Sequence, residues 1–175
     1  QLLEESGADI AYVMPSHQYP TGVVMPVKRR QELLSWAGRG EKRYLIEDDY
    51  DSEFRYRGKP VPALQGMDIQ GKVIYMGTFS KSIAPAIRVG YLVLPAPLLA
   101  VYKRKCGFYA STVSRIDQKI IYQFLTEGHY ERHLNRMRAI YKGKHDVLMS
   151  ELKTLGTEFL VQGEYAGLHE LLKYR

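Results

Sequence analysis

At 175 residues, 45% hydrophobic and 25% charged, the chain is long enough for one domain with a sizeable core, or for a domain plus part of another, and its composition is that of an ordinary soluble protein. It contains no apolar run near the roughly 18 residues of a membrane span and no basic-then-apolar leader; its single cysteine, Cys106, excludes an internal disulfide and fits a reducing cytoplasm. The net charge of +6 is spread over Lys28-Arg29-Arg30, Lys103-Arg104-Lys105 and a helix bearing Arg132, Arg136, Arg138, Lys142 and Lys144. With no nucleic-acid motif beside it, this reads as solvated helix faces rather than a binding groove.

In chain order, residues 10–14 form a short apolar run stopped by Pro15 and read as a buried strand. Tyr19-Pro20-Thr21-Gly22 is turn chemistry. Pro26 sits near the first turn of a helix that carries Leu33, Leu34, Trp36 and Ala37 and ends at Gly38 or Gly40. Residues 44–46 are the next strand and run into Glu47-Asp48-Asp49-Tyr50-Asp51. Residues 51–71, with Gly58, Pro60, Pro62 and Gly66, read as a long, mostly irregular loop. Two further strands, 73–76 and 89–94, flank the segment that holds Lys81. Helices are expected over 95–106, 114–127 and 129–155, the last with an apolar stripe of Leu134, Met137, Tyr141, Leu148 and Leu152. Strands at 159–161 and 168–172 follow, separated by a turn at Gly163 and Gly167.

Strands alternate with helices to about residue 94, long helices follow, and short strands then return. This order predicts an α/β domain with a mostly parallel sheet, followed by the start of a smaller α+β domain. The expected division is 1–140 for the larger domain and 141–175 for the smaller. Gln1 opens on what reads as the end of a helix, and the sequence stops just after a strand-like run. The expectation is therefore a fragment, with site residues beyond both ends.

Two segments carry chemistry. In Thr78-Phe79-Ser80-Lys81-Ser82, a lysine follows two hydroxyl residues, and Arg88 lies seven positions on. A lysine held between apolar strands among small residues, beside another cation, has its ammonium form disfavoured, as a Schiff-base nucleophile requires. Arg88 can clamp a phosphate with two parallel hydrogen bonds, and Thr78 and Ser80 add neutral donors. An aldehyde cofactor with a phosphate group, such as pyridoxal phosphate, suits this set.

About thirty residues upstream, the acids at 47–49 end a strand, where open α/β sheets place ligands. Carboxylates there need a cationic or hydrogen-bonding partner. A protonated pyridine nitrogen facing Asp48 is one, with Tyr50 donating to the ring's phenolate oxygen. The alternative is that the acids cap the following loop or pair with Arg55 and Arg57. The His129/His133 pair lacks a third metal ligand, and its plainer reading is an exposed helix start.

Pro15-Ser16-His17-Gln18-Tyr19-Pro20-Thr21-Gly22, then Glu47-Asp48-Asp49-Tyr50-Asp51-Ser52-Glu53-Phe54, then Gly77-Thr78-Phe79-Ser80-Lys81-Ser82 occur in this order. Together they resemble the aminotransferase-type domain of the MocR/GabR regulators of the GntR superfamily, which is similar to class I, fold-type I aminotransferases. The resemblance covers nearly the whole chain. It implies a three-layer αβα large domain, in part, and pyridoxal 5'-phosphate as cofactor. Lys81 would be the Schiff-base lysine, Asp48 the pyridine-nitrogen partner and Tyr50 the phenolate donor, with Thr78, Ser80 and Arg88 at the phosphate.

The chain departs from the family where aminotransferases carry an Asn-Pro pair, so Ser16 or His17 takes the contact near the ring. The acid-to-tyrosine spacing is also shorter, which keeps Asp49 open beside Asp48. The resemblance further implies amino-group transfer between an amino acid and a 2-oxo acid. Its alternative is effector sensing in a transcriptional regulator, with an amine or amino acid as ligand and DNA bound only through an N-terminal winged-helix domain. A homodimer and a cytoplasmic location without membrane contact follow as family expectations.

Overall fold

The structure is a computed structural model that describes residues 2–56, 58, 61–156 and 158–174. After a single helical turn, α1 (Leu2–Glu5), the chain forms β1 (Ile10–Val13), α2 (Val27–Gly38), β2 (Tyr44–Asp49), the short α3 (Leu64–Met67) and β3 (Val73–Thr78). A second short turn, α4 (Phe79–Ser82), and a 3-10 turn, Pro85–Ile87, lead to β4 (Gly90–Val93). The sheet order is β1-β2-β3-β4, with the first three strands parallel and β4 antiparallel to β3. The mostly parallel α/β sheet is as expected. The irregular loop over 51–71 holds one short helix, and the lysine segment is itself helical.

The sheet has two unlike faces. Ala11, Leu45 and Val73 lie in register across β1 to β3 and pack with Leu33, Trp36 and Ala37 of α2 and with Leu64. β-branched and leucine side chains on these strands meet a helix whose apolar residues recur at three and four, the usual way an α/β layer closes. The other face carries Ile10, Tyr12 and Leu92, each more than half exposed. Ile46, Ile74 and Met76 on the same face are half-buried.

Three helices follow: α5 (Ala96–Cys106), α6 (Arg115–Thr126) and α7 (His129–Leu152). Ser114 caps α6 by accepting from the Asp117 backbone N–H at 3.0 Å and donating to the Asp117 carboxylate at 2.7 Å, a local stop signal of the kind that fixes helix starts. The buried stripe of α7 runs through Leu134, His145 and Met149. Leu148, expected in it, is 45% exposed. A 3.6-residue period reaches His145 from Tyr141, but a histidine does not register as apolar. It is buried because Tyr56 stacks on its ring at 4.6 Å and Glu170 lies 3.3 Å from its Nε2.

The last two strands, β5 (Phe159–Gln162) and β6 (Leu171–Tyr174), pair antiparallel. The second begins three residues later than its hydrophobic pattern suggested. His169 and Glu170 are held instead by side-chain contacts to the body of the domain.

Candidate active site

Parallel pairing brings the C-terminal ends of β1, β2 and β3 to one sheet edge, the edge at which open α/β sheets bind ligands. Ser16 and His17 follow β1, Asp48 and Tyr50 end and follow β2, and Thr78, Ser80 and Lys81 end and follow β3. Because β4 runs back from that edge, with Gly90 opposite Thr78, Arg88 also belongs there. The eight residues weighed for the cofactor, Ser16, His17, Asp48, Tyr50, Thr78, Ser80, Lys81 and Arg88, thus end or follow strands at one edge.

The three acids divide by strand parity. Glu47 points to the core face and is fully buried; its two oxygens accept the Leu64 and Gln65 backbone N–H groups, each at 2.9 Å. It caps α3. Burial raises its pKa above the ordinary carboxylate value, although those two N–H groups and Arg30 favour the charge. Asp49 is also buried on that face, with one oxygen accepting from Ser52 Oγ and from the Tyr75 hydroxyl, both at 2.7 Å.

Asp48 alone shares the opposite face with Met76 and Thr78, where the Tyr12 hydroxyl donates to its Oδ2. That bond pushes the Tyr12 phenol up to about 12. The capping alternative therefore accounts for Glu47, and local hydrogen bonds account for Asp49. Of the two arginines weighed as ion-pair partners, Arg57 lies outside the described residues.

Thr78 serves as N-cap of α4, its Oγ1 accepting from the Ser80 N–H at 3.1 Å, and Ser80 is buried. Lys81 and Arg88 are exposed, and neither is ion-paired to a described residue. The expectation of a desolvated lysine is thus not met by the flanking strands, because the helical turn lifts Lys81 out of the sheet layer. Arg88 has φ 47°, a left-handed conformation that costs a non-glycine residue roughly 1–2 kcal/mol. Such strain tends to persist at functional sites.

Tyr50 donates its hydroxyl to the His17 carbonyl oxygen at 2.9 Å, and burial together with Asp51 and Asp48 raises its pKa, so it stays protonated. His17 is only 1% exposed, and its ring is paired with Asp51 at 2.9 Å. Its side chain is therefore enclosed in the protein rather than open at that edge. Ser16 lines a cavity of about 570 Å³ with Arg30, Asp49, Glu53 and Arg138.

Sequence reasoning missed Tyr12, Asp51, Arg30 and His169. Asp51 lay in the acid run already noted; the other three carried no local signal.

Residues 3–168 match the family described as aminotransferase class I and II. The chain belongs to the class I and II aminotransferase family. Within it, the domain is 43% identical over 173 residues to the HTH-type transcriptional regulator YdeL of Bacillus subtilis, covering 98% of this chain and 37% of that protein. It is 40% identical over 141 residues to the probable rhizopine catabolism regulatory protein MocR of Rhizobium meliloti, covering 81% and 28%.

Among solved structures, the multiple substrate aminotransferase of Thermococcus profundus superposes with a TM-score of 0.82 at 27% identity, covering 99% of this chain and 43% of that one. LysN, the α-aminoadipate aminotransferase of Thermus thermophilus, crystallised with N-(5'-phosphopyridoxyl)-L-leucine, gives 0.83 at 26%, covering 99% and 46%. The aminotransferase-like domain therefore has the fold-type I architecture, and it spans about a third of the length of the curated relatives it matches.

Proposed function

We infer that this chain is the cofactor-holding part of a pyridoxal-phosphate protein that transfers an amino group between an amino acid and a 2-oxo acid. One observation carries the reading: Lys81, Arg88 and Asp48, two cations without an ion-pair partner among the described residues and a carboxylate that accepts from the neutral Tyr12 hydroxyl, share one sheet edge in an aminotransferase-family domain. A group with a phosphate at one end, an aldehyde and a ring nitrogen that can carry a proton fits such a donor set. When bound, that cofactor supplies an electron sink for the bonds at a substrate's α-carbon.

Lys81 would hold the cofactor covalently through its Nζ and, once displaced by a substrate amine, would carry the α-proton as base and then acid. Asp48 would keep the ring nitrogen protonated; at 4 Å and an effective dielectric near 20 the attraction is about 4 kcal/mol before desolvation. Strand parity supports Asp48 over Asp49, since Asp48 shares the face of Thr78. Tyr50 would donate to the phenolic oxygen, exchanging its bond to the His17 carbonyl. Arg88 would clamp the phosphate in the plane of its guanidinium, with Thr78 and Ser80 beside it.

The experiment is pyridoxal-phosphate loading of the full-length protein, followed by borohydride reduction and mass mapping. The expected result is one attachment, at Lys81, with an absorbance band near roughly 420 nm that disappears in Lys81→Ala. Covalent attachment that survives in Lys81→Ala would refute the assignment.

A second reading is favoured by the regulators at 40–43% identity: the domain senses an amine or amino acid with little turnover, within a longer DNA-binding protein. Full-length protein that loads cofactor, turns over no amino acid with a 2-oxo acid, and changes its DNA affinity with an added amine would establish that reading. A homodimer in the cytoplasm is the assembly and setting proposed for either.

A further inference from the structure

The turn between β5 and β6 lies against the loop that follows β2. Tyr56 N–H donates to the Tyr165 carbonyl at 3.0 Å and Gly167 N–H to the Phe54 carbonyl at 2.7 Å, and Arg55 bridges to Ala166. Beneath this seam, one oxygen of the buried Asp51 accepts twice: from His17 Nδ1 at 2.9 Å and from the Leu168 backbone N–H at 3.1 Å. The His169 ring packs tilted against His17, with centroids 4.2 Å apart. The carbonyl of the same His17 holds the Tyr50 hydroxyl at 2.9 Å. A single residue thus joins the β5–β6 turn to the tyrosine of the candidate active site.

His17, Asp51 and His169 each present a ligand-type atom within 4.8 Å of the others, which raises a metal centre as the competing reading. Asp51 Oδ1, His17 Nε2 and His169 Nε2 are buried without a hydrogen-bond partner among the described residues, but the contacts at Asp51 Oδ2 and His17 Nδ1 disfavour it. Asp51 Oδ2 already has two donors, and Gly167 packs so closely that a Cβ there would stand 1.8 Å from His17 Nδ1. Little space remains on that side of the ring for an ion with its own coordination sphere.

We propose that His17 and Asp51 form a buried latch through which the 163–170 turn sets the position of Tyr50. Both are positioning residues. The proposal rests on the function above in one respect only, that the Tyr50 hydroxyl faces the cofactor. Because coupling between two sites is reciprocal, filling the site, which draws the Tyr50 hydroxyl off the His17 carbonyl, should also change the exchange of the turn. In a sensing protein this is a path from an occupied site to the β5–β6 hairpin.

The test uses full-length wild type, Asp51→Asn, His17→Ala, His17→Gln (which keeps an N–H toward Asp51) and Gly167→Ala. Gly167 has φ 82°, so an alanine there is disfavoured by backbone as well as by collision with His17. Amide exchange over 163–170 reports the turn. Fluorine NMR of fluorotyrosine-labelled protein, with the Tyr50 resonance assigned by Tyr50→Phe, reports the tyrosine without any cofactor.

Asp51→Asn, His17→Ala and Gly167→Ala are expected to speed exchange of the turn about tenfold, the effect of one lost buried hydrogen bond, and to move the Tyr50 resonance. His17→Gln should restore much of both, which a general loss of packing would not. Where Asp51→Asn does not fold, the His17→Gln and His17→Ala pair decides. Faster exchange with an unmoved Tyr50 resonance, or neither change in folded variants, overturns the latch. Wild type that takes up no pyridoxal phosphate overturns the assigned function and leaves these two measurements to judge the latch alone.

Discussion

Arg30 offers the sharpest test of how the site edge is held together. Its side chain is fully buried, and its three nitrogens donate to three carbonyls: Nε to Met25 at 3.1 Å, Nη1 to Pro62 at 2.8 Å and Nη2 to Pro15 at 2.7 Å. Those carbonyls belong to the start and the end of the segment between β1 and α2 and to the loop before α3, so one guanidinium ties the motif loop to its neighbours. Burial lowers its pKa, and Glu47 and Asp49 oppose that shift, so it also balances two buried acids.

In Arg30→Met, three charge-assisted hydrogen bonds at about 1.5 kcal/mol each are lost, and of the three carbonyls Pro15 keeps the Met25 N–H at 2.8 Å. Relief of the guanidinium's own desolvation returns part of this, leaving about 3–5 kcal/mol, the range for removing one partner from a buried charge set. Urea unfolding of the full-length protein, with the slope unchanged, measures it. Arg30→Lys, which keeps the charge but not the fork, should fall between wild type and Arg30→Met. A loss below about 1 kcal/mol in Arg30→Met, typical of a surface substitution, would refute the view that this residue organises the edge.

Two further outcomes follow from individual contacts. Burial raises the pKa of Glu53 above the ordinary carboxylate value, so the folded state holds its proton more tightly than the unfolded state. Its contribution to stability is then greatest at low pH, falls as pH rises through the window between the unfolded and the raised folded values, and is unfavourable above it. Glu53→Gln should accordingly raise the melting temperature at neutral pH and change it little at pH 4, and equal effects at both pH values would contradict the assignment. At Gly77, a Cβ would lie 2.3 Å from Tyr91 Cζ, across the β3–β4 pair. Gly77→Ala must displace the Tyr91 ring from its contact with Phe79, 5.1 Å between centroids, at an expected cost of about 1–3 kcal/mol. A thermal melt within a degree of wild type would show that the ring moves freely.

What could be read from the sequence depended on whether a residue's partners were near it in the chain. Thr78, Ser80, Lys81 and Arg88 sit on one strand exit and its return, so their grouping was visible before any fold was known. The acid run was equally visible, but its division was not. Glu47, Asp48 and Asp49 are chemically alike, and only the register of β2 against β3 sends Asp48 to the face of Thr78 and the other two to the core. His145 was passed over because apolar periodicity does not count a buried histidine, and the same blindness hid Arg30.

The largest omission, the link from His17 through Asp51 to Leu168, includes a step of 117 residues, from Asp51 to Leu168, and leaves no periodic trace in any loop. One expectation failed for a physical reason. Apolar strands on both sides do not desolvate Lys81, because the α4 turn carries it past the end of the sheet into solvent.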